Sequence, residues 1–378
     1  LEPVLESFNR LLLDHDLVLV EGAGSPAEVN LRERDIANMG FAIRAGVPVC
    51  LLGDIERGGV IASLVGTQKI LNPDDAAMIR GFAVNKFRGD PDLFVDGVKF
   101  IEQQTDWPCF GVIPWLAPTS RLPAEDAVSM VRTNGSREHG IRVVAPMLSR
   151  MANFDDADPL RLEPSVEFEF IPPGSPLPRD IDLVILFGTK STIGDLRFLR
   201  EQGWDHDIIA HARQGGRVLG ICGGYQMLGN TVVDPVGSDG VPGEVQGLGL
   251  LNVETVMTYA KTVRPVIGRS STSDAQVHGY EIHVGETTGS DCARPLLNLE
   301  GRAEGARSTD GRVCGTYVHG LLSSDTYRAE VMQWFGQTAS NLNYADAVHE
   351  ALDDLADGLE EALDIDGLFE LAKSPQSL

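Results

Sequence analysis

Short apolar runs, each followed by a small-residue or acidic loop and then by helical spacing, recur along the chain. Leu17-Val18-Leu19-Val20 is the first, and residues 47–52, 81–86 and 108–113 follow; each reads as a strand buried on both faces. Helical stretches fall at 5–13, 34–45 and 60–69. This alternation predicts a doubly wound α/β layer. A second set opens at 141–145 and continues through 166–171, whose alternation predicts an exposed strand. It goes on with a buried strand at 181–187, helices at 193–202 and 205–214, and strands at 217–221 and 312–318. Residues 121–140 are polar and read as a linker. Leu352, Leu355, Leu359 and Leu363 recur at helical spacing among acidic residues, so 336–378 reads as an acidic helical tail. The expected division is 1–120, 121–140, 141–335 and 336–378.

One junction carries chemistry. The strand at 217–221 leads into Gly220-Ile221-Cys222-Gly223-Gly224, and helical sequence resumes at Gln226. This is a cysteine version of a nucleophile elbow. The flanking glycines permit a sharp turn and close approach of a substrate. A thiol at a helix start also meets N–H groups that favour thiolate and stabilise an oxyanion. A second small-residue loop, Gly188 to Thr192, ends the strand at 181–187 and offers further N–H donors. The nucleophile needs a base. His319 ends the strand at 312–318 and is the first candidate; His283, in His278-Gly279-Tyr280-Glu281-Ile282-His283, is an alternative base or supporting group. In the first half, acidic glycine-rich loops follow two strands, Glu21-Gly22-Ala23-Gly24 and Gly53-Asp54-Ile55-Glu56-Arg57-Gly58-Gly59. Such loops at strand C-termini are where ligands bind in open α/β sheets.

Composition narrows the function classes. Lys and Arg number 31 against 55 Asp and Glu, a net charge of −24, which argues against a nucleic-acid partner. No apolar run reaches membrane-spanning length and no signal peptide is visible, so no membrane partner is expected. The 5 cysteines are odd in number and lack metal-ligand spacing, which fits a reducing cytoplasm.

Gly220 to Gln226 with His319 downstream resembles the class I glutamine amidotransferase domain, a flavodoxin-like α/β fold. The first segment resembles the P-loop, dethiobiotin-synthetase-like ATP-binding domain. Fused in this order, they resemble the cobyrinate amidases of cobalamin synthesis. The stretches Val20 to Leu31, Gly53 to Gly59, Val84 to Asp90 and His278 to His283 are similar to the cobyric acid synthase branch. The resemblance implies a carbon–nitrogen ligase of the EC 6.3.5 type with glutamine as amido donor. It would amidate the b, d, e and g carboxylates of adenosylcobyrinic acid a,c-diamide to give adenosylcobyric acid. A cobyrinate a,c-diamide synthase, or a glutaminase subunit of a different amidoligase, is the alternative. The resemblance further implies Cys222 as nucleophile and His319 as its base. Gly188, Gly223, Gly224 and Gln226 would form the oxyanion and glutamine site, Asn85 would lie near the nucleotide, and Glu21 would help hold Mg²⁺. Glutamine, a corrinoid and ATP are the expected small-molecule partners.

Two positions depart from the family pattern. Many class I amidotransferases carry Glu two residues after the histidine, where this chain has Leu321. A Cys–His dyad is therefore expected, with Glu281 one candidate to orient His319. The chain also contains no G-x-x-x-x-G-K-[ST] loop. The family places that loop upstream, so an N-terminally truncated fragment with no tightly bound cofactor is expected.

Overall fold

The computed structural model describes residues 1–123, 140–240 and 242–372. The expected linker falls almost wholly outside the described residues. The chain divides into two compact units, Leu1–Thr119 with Ala351–Leu378, and Ser120–Glu350.

The first unit holds helix α1 (Glu2–Asp14), α2 (Met39–Ala45), β1 (Val49–Asp54), α3 (Val60–Ile70), α4 (Pro73–Met78), β2 (Ile79–Phe87), α5 (Val95–Thr105) and β3 (Cys109–Pro114). Its strands form a parallel sheet in the order β1-β2-β3. Phe82, Val84, Leu64, Ile101 and Trp107 fill its core. Residues 17–20 are a correction to the strand reading: they form no strand, and Leu19 is 87% exposed. Among the described residues no strand runs beside them, so their backbone groups have no ladder to join. The helix expected from residue 34 starts only at Met39. The Asp35 carboxylate accepts from the N–H groups of Ala37, Asn38 and Gly40, which holds a turn where the helix would begin.

The second unit begins with β4 (Ile141–Pro146), β5 (Met151–Ala152), α6 (Asp158–Arg161), β6 (Val166–Ile171), β7 (Leu183–Leu186), β8 (Gly188–Thr189), α7 (Thr192–Glu201), α8 (Trp204–Arg213), β9 (Arg217–Ile221) and α9 (Gly223–Leu228). It continues with β10 (Thr231–Asp234), β11 (Gly243–Gln246), β12 (Val253–Ser270), β13 (Gln276–Gly289), β14 (Leu297–Leu299), β15 (Arg302–Glu304), β16 (Ala306–Arg307), β17 (Val313–Thr316), β18 (Val318–His319) and α10 (Asp325–Gln333). A six-stranded sheet has the order β16-β17-β9-β7-β4-β6, parallel but for β16. Leu183, Ile185, Leu219 and Ile221 face one core, while Val184, Leu186 and Val218 face the other. Burial on both faces is why these strands read as unbroken apolar runs. The strand β6 is buried rather than exposed, because Phe168 and Phe170 enter the core and Glu169 pairs with Arg142 at 3.0 Å. The second sheet has the order β11-β10-β12-β13-β18, with β14 beside β12 and β15 beside β14.

The C-terminal segment forms α11 (Tyr344–Ala362) and α12 (Ile365–Ala372). Its part from Ala351 onward belongs to the first unit, and there Asp364 donates its N–H to Phe110 O at 2.7 Å. That contact caps the outer edge of β3, which would otherwise present unpaired backbone groups.

Glu163 and Arg328 are a fully buried pair, with Nε 2.7 Å from Oε1, and Ser340 N–H donates to the other carboxylate oxygen at 3.0 Å. Arg328 also bonds Asp325 at 2.8 Å, so removing Glu163 leaves the buried guanidinium with that more exposed carboxylate alone. Glu163→Ala is expected to cost ~3–5 kcal/mol in denaturant unfolding; a loss below about 1 kcal/mol would show the pair to be dispensable.

Candidate active site

At the C-terminal edge of the six-stranded sheet the chain turns sharply at Cys222, which has φ 53° and ψ −111°. A non-glycine residue in this region is strained, and such strain persists only where packing enforces it. Gly224 supplies the enforcement: a Cβ there would sit 1.9 Å from Leu186 O, so α9 can press against β7 only without a side chain. The helix begins at Gly223, directly after the nucleophile and three residues earlier than the sequence suggests. Its first N–H groups therefore have no acceptor within the helix. Cys222 N–H donates to Thr316 O at 2.8 Å, and Sγ lies 3.4 Å from Ile282 O.

His319 ends β18 and is fully buried. Gly188 lies against both residues: a Cβ built on it would be 3.2 Å from His319 Cε1 and 3.6 Å from Cys222 Cβ. Gly188, Cys222 and His319 thus converge although they come from three different strand ends. The His319 Nδ1–H donates to Asp156 Oδ2 at 2.8 Å, and Gly320 N–H donates to Asp156 Oδ1 at 2.6 Å. Tyr280 stacks on the imidazole at 5.3 Å, with its own hydroxyl accepting from Asn153 Nδ2 at 2.8 Å. The ring is fixed through Nδ1, which leaves the buried Nε2 as its free atom. Burial pushes the His319 pKa down, but the hydrogen bond to Asp156 and the neighbouring Cys222 outweigh it and raise it to about 10. The imidazole is therefore a cation at neutral pH.

Asp156 was legible only as one of several acids in a polar loop after the strand at 141–145. The candidate Glu281 does not touch His319. Its side chain leaves β13 on the face opposite Tyr280 and binds Arg264 at 2.5 Å and Arg302 at 2.8 Å. Leu321, at the position of the usual glutamate, is core. His283 stacks on Tyr317 at 3.8 Å, and burial lowers its pKa, so it is neutral.

The loop bearing Gly188 is fastened to the loop bearing Asp156. The strands β5 and β8 pair, and the buried Asp195 accepts from Ser149 Oγ at 2.5 Å, from Arg150 N–H at 3.2 Å and from Thr189 Oγ1. Gln226 does not present its amide to a ligand. Its oxygen accepts from Thr192 Oγ1 at 2.8 Å, and its nitrogen donates to Val284 O at 2.9 Å and to Tyr317 Oη at 3.2 Å. Both amide hydrogens are committed, so its role is to hold α9 in place.

Comparisons with known proteins give the family. A CobB/CobQ-like glutamine amidotransferase domain matches residues 142–327, and an AAA domain matches residues 2–122. Cobyric acid synthase of Hyphomonas neptunium is 60% identical over 98% of this chain and 75% of its own length. Cobyric acid synthase of Paracoccus denitrificans is 59% identical over 98% of this chain and 76% of its own. The chain belongs to the cobyric acid synthase family. Among solved structures, PurLQS from Thermotoga maritima aligns at a TM-score of 0.38 with 17% identity, covering 57% of this chain and 99% of that one.

The first unit of this family member gathers charge at its strand C-termini. Lys86 Nζ lies 2.8 Å from Asp54 and 4.0 Å from Glu56, and Arg88 reaches Glu56 at 3.0 Å while stacking over Trp115 at 3.8 Å. The Lys86 ammonium bonds Asp54 and, against some burial, holds its carboxyl below the usual range. Asn85 Oδ1 accepts from Lys86 N–H at 2.8 Å. Glu21 is exposed in a loop, and among the described residues no group of three His, Cys, Asp or Glu side chains could hold a metal ion. A nucleotide-bound Mg²⁺ takes only one or two protein carboxylates, so a role for Glu21 in holding it does not need such a group of three.

Asp156→Asn keeps the shape of the Asp156 contact but removes its charge. Glutamine hydrolysis is expected to fall at least about a hundredfold, since the base loses its fixed orientation and protonated form. Because the folded pKa of His319 is raised above 6.5, its contribution to stability is complete below pH 6.5 and fades as pH rises toward 10. The stability deficit of Asp156→Asn should follow, large at pH 6 and small near pH 10; a deficit independent of pH would refute the imidazolium assignment.

Proposed function

We propose that this chain hydrolyses glutamine at Cys222 and that the ammonia released serves to amidate a corrinoid. The observation that carries the reading is the convergence of Cys222 and His319 on Gly188 at one sheet edge, with Asp156 holding His319. The Cys222 thiolate attacks the side-chain amide carbon of glutamine. Negative charge develops on the amide oxygen, where the N–H groups of Gly188 and Gly223 are the proposed donors. The Nε2–H of His319 gives its proton to the departing nitrogen, the C–N bond breaks, and ammonia leaves a γ-glutamyl thioester. His319, now neutral, takes a proton from water as the water attacks the thioester, and glutamate leaves with the thiolate restored. Asp156 holds the ring through Nδ1 throughout.

Membership in the cobyric acid synthase family supports a corrinoid as the acceptor, and the AAA match supports ATP as the energy source. Within that family reading, the acceptor groups are the b, d, e and g carboxylates of adenosylcobyrinic acid a,c-diamide. The overall reaction is then a glutamine-dependent carbon–nitrogen ligation.

The test is glutamate release from glutamine by the chain, by Cys222→Ala and by His319→Ala. Cys222→Ala should abolish release, and His319→Ala should reduce it by about a thousandfold or more. Unchanged release by Cys222→Ala would contradict the nucleophile. The chain without a G-x-x-x-x-G-K-[ST] loop is not expected to amidate; with that loop restored upstream of Leu1, incubation with ATP and the a,c-diamide should add amides one by one, read as successive mass changes of the corrinoid. Hydrolysis without any corrinoid change would instead favour a glutaminase serving another amidoligase.

A further inference from the structure

The segment carrying His319 changes sheets. The strand β17 ends at Thr316 in the six-stranded sheet, and β18 begins at Val318 in the other. At such a crossing the backbone leaves one ladder before it joins the next, so its polar groups need other partners. Glu304, at the end of β15 and 3% exposed, supplies them. Its Oε1 accepts from Tyr317 N–H at 2.7 Å and its Oε2 from Thr316 Oγ1 at 2.7 Å. The Thr316 hydroxyl oxygen in turn accepts from Val318 N–H at 3.0 Å, and Thr316 O holds the N–H of Cys222. One buried carboxylate thus grips the residues that connect the nucleophile to the base.

We propose that Glu304 is a positioning residue for glutamine hydrolysis: its ionised carboxylate fixes the β17–β18 crossing and so holds Cys222 and His319 in register. This rests on the glutaminase reading. A purely structural residue at this place would be expected to be neutral, because no Lys, Arg or His bonds Glu304 among the described residues. Burial pushes its pKa up to about 7, against the opposing pull of the Tyr317 and Thr316 hydrogen bonds. The charged and titratable groups around it are Glu281 on β13, which raises the value further, and Arg302 on its own strand, which lowers it. Tyr225 on α9, Tyr317 at the crossing, Tyr327 on α10 and Cys292 complete the surroundings. A folded pKa above the unfolded value of 4.5 means that the native state binds more protons than the unfolded chain between about pH 4.5 and 7. Ionised Glu304 therefore costs stability above that window, while giving both oxygens to the crossing. Protonated, Oε2 must donate to Thr316 Oγ1, and the threonine hydrogen loses its acceptor.

Glu304→Gln imitates the protonated form and separates the two roles. At pH 8 it should unfold at a higher temperature than the native chain, yet hydrolyse glutamine about tenfold less efficiently in kcat/KM. Its pH profile should lack the rise near pH 7 shown by the native chain. Thr316→Val removes the hydroxyl that lowers the Glu304 pKa, and should move that rise to higher pH. A Glu304→Gln profile that overlays the native one, or a loss of stability together with activity, would overturn the proposal. So would a Thr316→Val inflection that stays in place. The melting comparison and the titration of carboxyl-¹³C-labelled glutamate do not depend on turnover, so they stand even if Cys222→Ala shows the glutaminase reading to be wrong.

Discussion

The parallel pairing of β9 with β17 is the constraint on which the site depends. Ile221 lies opposite Thr316, so the two strands end together, one running into Cys222 and the other into the crossing that carries His319. The hydrogen bond from Cys222 N–H to Thr316 O closes this junction. A strained residue sits on one side of it and a change of sheet on the other. Neither would persist in a loosely packed setting. Both are enforced here by close backbone approach at Gly224 and by buried carboxylates that meet otherwise unpaired N–H groups.

Three buried acids divide the work. Asp156 faces the imidazole and keeps it charged, Asp195 joins the loop of Gly188 to the loop of Asp156, and Glu304 holds the strand crossing. Among the described residues none of them is paired with an arginine or lysine; each is satisfied by hydroxyls, backbone N–H groups or the base. Hydrogen bonding of this kind keeps a carboxylate usable inside a core. By contrast, Glu281 and Glu163 are bound to arginines and are structural.

Local sequence revealed those features that local geometry determines. The elbow at Cys222 was legible because a strand, a glycine-flanked cysteine and a helix adjoin, and His319 was legible because it ends a strand before a glycine. Asp156 was not, because its pairing with His319 spans 163 residues and nothing in its own loop distinguishes it from Asp155 or Asp158. Glu281 attracted attention by sitting in a motif with His283, yet strand alternation turns it to the other face. Gln226 lay next to the nucleophile in sequence, but its helix turns its amide inward. Residues 17–20 have the composition of a buried strand but, among the described residues, no strand beside them; apolar patterning reports what a segment can bury, not whether a neighbour is present.

The most direct test of the central claim is to quench the chain with acid during glutamine turnover and map any adduct by peptide mass. A single glutamyl group on the peptide containing Cys222, absent from Cys222→Ala, is the predicted result. Continued glutamate release with the adduct on another cysteine, or with no covalent intermediate on Cys222 under any quench, would contradict it.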